Sequence, residues 1–294
     1  MYCAGLERLV PAAAQTSSWS CCTVRWRFIR FVVCAVASLI LAVGAASAAE
    51  AAGVPKLPDQ LDIQAVDTYL THQVRQRNRV GLSVAVFNDG KPVLVKGYGK
   101  QSIESGEPVQ ADTLFAIGSV SKQFTCAVIL LLAEDGRLSL FDPVGTYYPN
   151  LTRALDITLL DLMHHVSGYP DYYPLDFVDR RMKRPKAPDD LLQEYAGGKL
   201  DFEPGTKYSY SNTGYILLAR VAEKVSGKSF GQLLAERIFQ PLGMYHTVYE
   251  ANPSDPRLAR GYTTFALSKP EVALPESVGW LGGAGERCYY LNEV

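Results

Sequence analysis

The stretch Leu114-Phe115-Ala116-Ile117-Gly118-Ser119-Val120-Ser121-Lys122-Gln123-Phe124 decides how the chain is read. A short apolar approach leads to a glycine, and a serine then opens a helix. That helix is predicted to run on to Glu134 and to stop near Gly136, where glycine suits a left-handed cap. It is apolar on nearly every side, which places it inside a domain rather than on its surface. In its first turn the Ser119 hydroxyl lies near unsatisfied backbone N–H groups and the positive end of the helix dipole. Lys122, three residues on, shares the face of Ser119. Desolvation there would lower its pKa toward that of a usable base. A nucleophile beside a base is the minimal unit of acyl transfer. The spacing alone also admits an N-cap serine with a surface lysine. A second motif has to decide between them.

Composition bounds the function classes. The chain has 294 residues, 48% hydrophobic and 20% charged, which is ordinary for a globular protein with a real core. A net charge of −1 leaves no electrostatic footprint for nucleic acid. The first fifty residues differ from the rest. Arg25, Arg27 and Arg30 precede an apolar run from Phe31 to Val43, and Ala46 and Ala48 occupy the key positions of an Ala-x-Ala cleavage site. The competing reading is a membrane anchor, but about thirteen apolar residues is short for a span. Export through a signal peptide over residues 1–48 is therefore expected, with no stable membrane span after cleavage. The stretch ahead of Arg25 is long for such a region, and translation is expected to start later, at Val24. Residues 1–48 carry four arginines and one glutamate, so the remainder has a net charge near −4. Four of the six cysteines leave with that segment, and Cys126 and Cys288 alone cannot build a disulfide framework or a zinc site. Cys126 reads as a packed thiol.

Along the body, Leu57 to Arg77 carries a helical apolar stripe at Leu61, Ile63, Val66, Leu70 and Val74. Two β-rich runs, 81–87 and 92–98, flank Asn88-Asp89-Gly90 and predict a hairpin. Short helices are predicted over 159–164 and 189–195, and longer ones over 213–226 and 229–239. The tract 169–188, rich in Tyr, Pro, Asp and Arg, reads as a long surface loop, the kind that lines binding sites.

The second motif is Tyr208-Ser209-Tyr210-Ser211-Asn212, just ahead of an apolar helix. A tyrosine beside a cationic lysine shares its proton more readily. An asparagine amide can fix a lysine or a substrate carbonyl. An ordinary turn with N-cap chemistry is the alternative. With Ser119-Val120-Ser121-Lys122, with Leu162-Met163-His164-His165-Val166-Ser167-Gly168 and with Phe239-Gln240-Pro241-Leu242-Gly243-Met244, the motif resembles the serine β-lactamase and penicillin-binding-protein superfamily, in its class C-like branch. The resemblance runs from about Gly81 to Gly285. A related signature has Ser-Asp-Asn in the middle position, where this branch has Tyr-x-Asn.

The resemblance implies an α+β fold: an antiparallel sheet flanked by helices, with a mostly helical inserted domain, of the beta-lactamase/transpeptidase type. It implies a boundary set of 49–118 for the first part of the sheet domain, 119–265 for the helical domain and 266–294 for the return to the sheet. Ser119 would attack an acyl carbonyl, Lys122 and Tyr210 would share base and acid duties, and Asn212 would hold Lys122 and the substrate amide. The Ser119 N–H would supply half of an oxyanion hole. His165 reads as structural. No metal and no cofactor are expected, and no Gly-x-Ser-x-Gly elbow points to an α/β-hydrolase. The expected partner is a small-molecule or peptide substrate, and oligomeric state stays open.

One departure stands out. The family's third motif, His or Lys, a small residue, then Gly, has no counterpart after Asn212. The glycine-rich run 279–285 is followed by Glu286-Arg287-Cys288-Tyr289-Tyr290-Leu291-Asn292-Glu293-Val294, which the resemblance does not account for, so a shift of reading frame near Gly285 and a truncated sheet are expected. The hairpin would then show an unpaired edge, the second oxyanion donor would be lost, and residues 1–294 would be poorly stable. An exported serine hydrolase cleaving a D-alanyl amide or ester through Ser119 is the reading carried forward. A non-turnover penicillin- or D-alanyl-binding protein and an inactive remnant are the alternatives.

Overall fold

Asp89 and Gly90 both take positive φ (49° and 73°), the turn that matches the twist of a tight hairpin. It joins β1 (Gly81–Asn88) to β2 (Lys91–Gly99), antiparallel from Gly81↔Gly99 to Asn88↔Lys91, with a bulge at Val86/Phe87. This comes from a computed structural model that describes residues 61–76, 79–173, 181–252, 254–263, 269–273, 280–284 and 288–290. The predicted signal segment 1–48 lies outside the described residues. Helix α1 (Ile63–Gln76) lies against β2. Asp67 anchors it by accepting from Lys96 Nζ at 2.8 Å and from Tyr98 Oη at 2.6 Å. Among the described residues the hairpin pairs with no further strand.

The chain then reaches β3 (Phe115–Ala116) and a 3-10 turn over Gly118–Ser121, which runs into α2 (Lys122–Glu134). Lys122, Thr125, Val128, Ile129 and Leu132 form its buried face. The all-round burial read from its composition is corrected here: Leu130 is 48% exposed, on a narrow strip with Gln123 and Glu134 that meets solvent, while Phe124, Cys126 and Leu131 pack against the core. Helix α3 (Leu159–Met163) begins in a capping box. Thr158 Oγ1 accepts from Asp161 N at 3.1 Å, and Asp161 Oδ2 accepts from Thr158 N at 2.9 Å. Helix α4 (Pro188–Tyr195) starts on proline, whose missing N–H costs nothing there.

Helix α5 (Asn212–Ser226) is the axis of the core. Ile216, Leu217, Leu218, Val221 and Ala222 are fully buried against α2, α3 and α4. Gly227 closes it in the left-handed conformation. Helix α6 (Phe230–Leu234) continues as a π-type turn over Ala235–Phe239, where a single α-helix was predicted.

Two further predictions change. The tract 169–188 is not simply surface: Tyr169, Tyr172 and Met182 are buried, since aromatic and thioether bodies fill the space beside α4 and α5. The segment after Gly285 also does more than expected. Strand β7 (Cys288–Tyr290) sits between β3 and β4 (Val248–Tyr249), antiparallel to both. An aromatic-rich run favours a strand where neighbouring backbone offers partners. A separate small pair joins β5 (Tyr262–Thr263) to β6 (Glu271–Val272).

Candidate active site

The backbone presents Ser119 by a sharp turn. Gly118 has φ +53°, a region costly for other residues, and the 3-10 turn starts there, leaving Ser119 exposed at its tip. One turn later Lys122 is only 7% exposed. Its ammonium donates to Ser119 Oγ at 3.1 Å, to Asn212 Oδ1 at 2.7 Å and to the Ala284 carbonyl. It also faces the rings of Tyr210 and Tyr215, 4.9 and 5.3 Å from their centroids. A buried cation is tolerable only with such partners.

Tyr210 reaches the same hydroxyl from the other side, its Oη donating to Ser119 Oγ at 2.7 Å. Burial pushes the phenol up from its ordinary pKa, and the Ser119 bond opposes this only in part. The phenol is therefore protonated at rest. His165 holds the ring from behind, stacked at 4.5 Å between centroids and 29° between planes. It has a left-handed backbone (φ 59°), and its Nδ1 accepts from Ser211 N at 3.1 Å. Burial, then the nearby Lys122 charge, push its pKa down, so the ring is neutral with its proton on Nε2.

Asn212 opens α5 and is nearly buried. Its amide oxygen takes Lys122, and its Nδ2 donates to both oxygens of Asp171 at 3.2 Å. Asp171 Oδ1 further accepts from Asn212 N at 3.0 Å and Tyr173 N at 3.2 Å. The glycine-rich turn over Gly282–Ala284 closes the floor, with Thr125 Oγ1 donating to the Gly283 carbonyl at 2.7 Å. A cavity of about 330 Å³ opens over Ser119, Tyr210 and Asn212. A larger one of about 730 Å³, beside Lys186, Arg220 and Tyr249, contains none of these groups. The smaller is where the chemistry sits.

The four residues singled out in the sequence, Ser119, Lys122, Tyr210 and Asn212, thus meet in one hydrogen-bonded cluster. Asp171, Tyr173 and the Ala284 carbonyl were missed. The signal for Asp171 was available in Ser167-Gly168-Tyr169-Pro170-Asp171, directly after the helix-end histidine. Cys126 lies elsewhere, its Sγ 3.3 Å from Tyr215 Oη. Among the described residues no group of three or more His, Cys, Asp or Glu is placed to hold a metal ion.

Residues 66–285 match the beta-lactamase family. The chain belongs to that family. It is similar to a teichoic acid D-alanine hydrolase of Staphylococcus aureus, 33% identical over 212 residues, which cover 70% of this chain and 50% of the relative. Among solved structures it resembles the D-amino acid amidase of Ochrobactrum anthropi SV3, with a TM-score of 0.65 and 29% identity over 78% of this chain and 66% of that one. It also resembles a class C beta-lactamase in complex with cefoxitin, with a TM-score of 0.64 and 26% identity over 78% of this chain and 61% of that one. The chain spans about half the length of the curated relatives it matches. The beta-lactamase-like fold of helices with small antiparallel sheets is shared with these neighbours.

Proposed function

We propose that the chain is an exported serine hydrolase that cleaves an ester or amide, of the D-alanyl type, through an acyl-enzyme on Ser119. The observation that carries this is the double donation onto Ser119 Oγ, from Lys122 at 3.1 Å and Tyr210 at 2.7 Å. A serine with no chemical task needs neither donor.

At rest both neighbours donate, so neither accepts the serine proton. Attack requires that one proton first leave the Lys122–Tyr210 pair. Ser119 Oγ then adds to the acyl carbonyl as its own proton passes into the pair. The Ser119 N–H, free at the start of the 3-10 turn, faces the developing oxyanion. Tyr210 Oη, the outer member, returns a proton to the leaving group. Asn212 keeps the Lys122 ammonium aimed at Oγ throughout. Water then repeats the sequence in reverse to release the acyl group. The basic segment, apolar run and Ala-x-Ala site of residues 25–48 support export. No helix of the described residues is long and apolar enough to cross a membrane.

A chromogenic ester such as p-nitrophenyl acetate tests the reading: turnover is expected, and its persistence in Ser119→Ala would refute it. One observation favours a second reading. Lys122 and Tyr210 both donate to Ser119 Oγ, and a pair that stays protonated after acylation would hold the acyl group rather than release it. A burst of p-nitrophenolate equal to the enzyme concentration, with no steady state after it, would select that alternative.

A further inference from the structure

We infer that Asp171 is the specificity-determining residue of this site and that it selects acyl groups bearing a free α-ammonium; the inference rests on the serine-hydrolase reading above. The two carboxylate oxygens of Asp171 have different surroundings. Oδ1 is saturated, accepting from Asn212 N, Asn212 Nδ2 and Tyr173 N. Oδ2 receives only Asn212 Nδ2, at 3.2 Å, among the described residues. A carboxylate oxygen can take two donors, so one acceptor position on Oδ2 stays available.

That position matters because of where Asp171 lies. It is half-buried in the wall of the 330 Å³ cavity that holds Ser119, and it is the one charged side chain among the described residues lining that cavity. The rest of the wall beside it is aromatic, from Tyr172, Tyr173 and Tyr210. An anion set among tyrosine rings favours a cation and disfavours a carboxylate or a bare alkyl group. The unbroken path Ser119–Lys122–Asn212–Asp171 keeps the carboxylate close to the nucleophile. An α-ammonium is separated from the reacting carbonyl carbon by a single carbon, so the inference has it turned toward Asp171, in the cavity that both residues line, when that carbonyl is on Ser119. Oδ1 thereby fixes the wall, and Oδ2 reads the substrate.

The test compares D-alanyl and N-acetyl-D-alanyl p-nitrophenyl esters on the wild type and on Asp171→Asn. Asp171→Asn is expected to lower kcat/KM for the D-alanyl ester about 10- to 100-fold, chiefly through KM. The N-acetyl ester, which lacks the ammonium, should lose at least about tenfold less, because it feels only the part of the change that reaches Lys122 through Asn212. Equal losses on both esters would overturn the inference, because the carboxylate would then act only through Asn212. A wild-type measurement keeps the question open to refutation if the variant fails to fold. D-Alaninamide should bind in calorimetry, and D-lactamide, with hydroxyl for ammonium, should bind at least tenfold more weakly; equal binding overturns the proposal. Labelling of Ser119 by a fluorophosphonate separates the two levels. Loss of labelling in the wild type strikes the hydrolase reading, whereas labelling without ammonium preference strikes Asp171 alone.

Discussion

Tyr210→Phe isolates one atom of the site. It removes the Oη that donates to Ser119 Oγ at 2.7 Å. The ring remains, stacked on His165 and facing the Lys122 ammonium at 4.9 Å. Because Tyr210 is 40% exposed, the lost bond should cost stability no more than about 1 kcal/mol. The cost to acylation should be far larger. A positioned acid–base group contributes about 10²–10⁴ in rate, or about 2.7–5.4 kcal/mol at 1.36 kcal/mol per tenfold. The pH profile sharpens the test. Burial raises the phenol above its ordinary pKa, so the deprotonated pair is scarce at neutral pH and the wild-type rate should climb with pH through neutrality. In Tyr210→Phe the slope should flatten along with the loss of rate. Fluorophosphonate labelling rates from pH 6 to 10, beside thermal melts, read both quantities. A variant that labels within about threefold of wild type and keeps the slope would refute the role given to Tyr210.

Gly283→Ala should both destabilise and deactivate. A Cβ there would meet Ala219 Cβ and the Tyr215 carbonyl at 2.7 Å, and overpacking of this kind costs about 1–3 kcal/mol while pushing the Ala284 carbonyl off Lys122. A lower melting temperature together with slower labelling is the expected pair. Tyr98 has its phenol pushed up to about 12 by burial and then by Asp67. The raised value means its contribution is complete below about pH 10 and is lost between there and about pH 12. Denaturant melts across that window should show α1 loosening from the hairpin, and Tyr98→Phe should remove the dependence. For His165 the shift is downward, so stability is complete above about pH 6.5 and falls as pH drops below it. Urea midpoints at pH 7.5 and 5 should show the fall, and His165→Asn should reduce it.

Much of this site was legible because its parts are local. Ser119 and Lys122 are one helical turn apart, so chain spacing alone puts them on one face. Tyr210 and Asn212 sit at the start of a strongly apolar helix, which fixes them at its mouth. Asp171 was passed over: its place just after Ser167-Gly168 hints at the site, but it lies 41 residues before Asn212 in an irregular tract, and only the fold brings the two together. Where it is described, the tract 169–188 does line the site, through Asp171, Tyr172 and Tyr173, but its burial was missed for a related reason. Its tyrosines and prolines match surface-loop composition, but tyrosine bodies bury well when a hydroxyl finds a partner, as Tyr172 does at the Trp280 carbonyl. The π-type turn at Ala235–Phe239 keeps helical periodicity closely enough that the pattern gave no warning. Thr158-x-x-Asp161 was a capping box in plain view that the helix reading did not use. Strand β7 escaped notice because three residues are too few for an alternating pattern, and it owes its place to β3 and β4.

The central claim is that Ser119 becomes covalently acylated. Incubation with a fluorophosphonate, proteolysis and peptide mass spectrometry test it directly. The adduct is expected on the peptide containing Ser119, at one per chain, and none is expected in Ser119→Ala. An adduct on any other residue, or equal labelling of Ser119→Ala, would contradict the account.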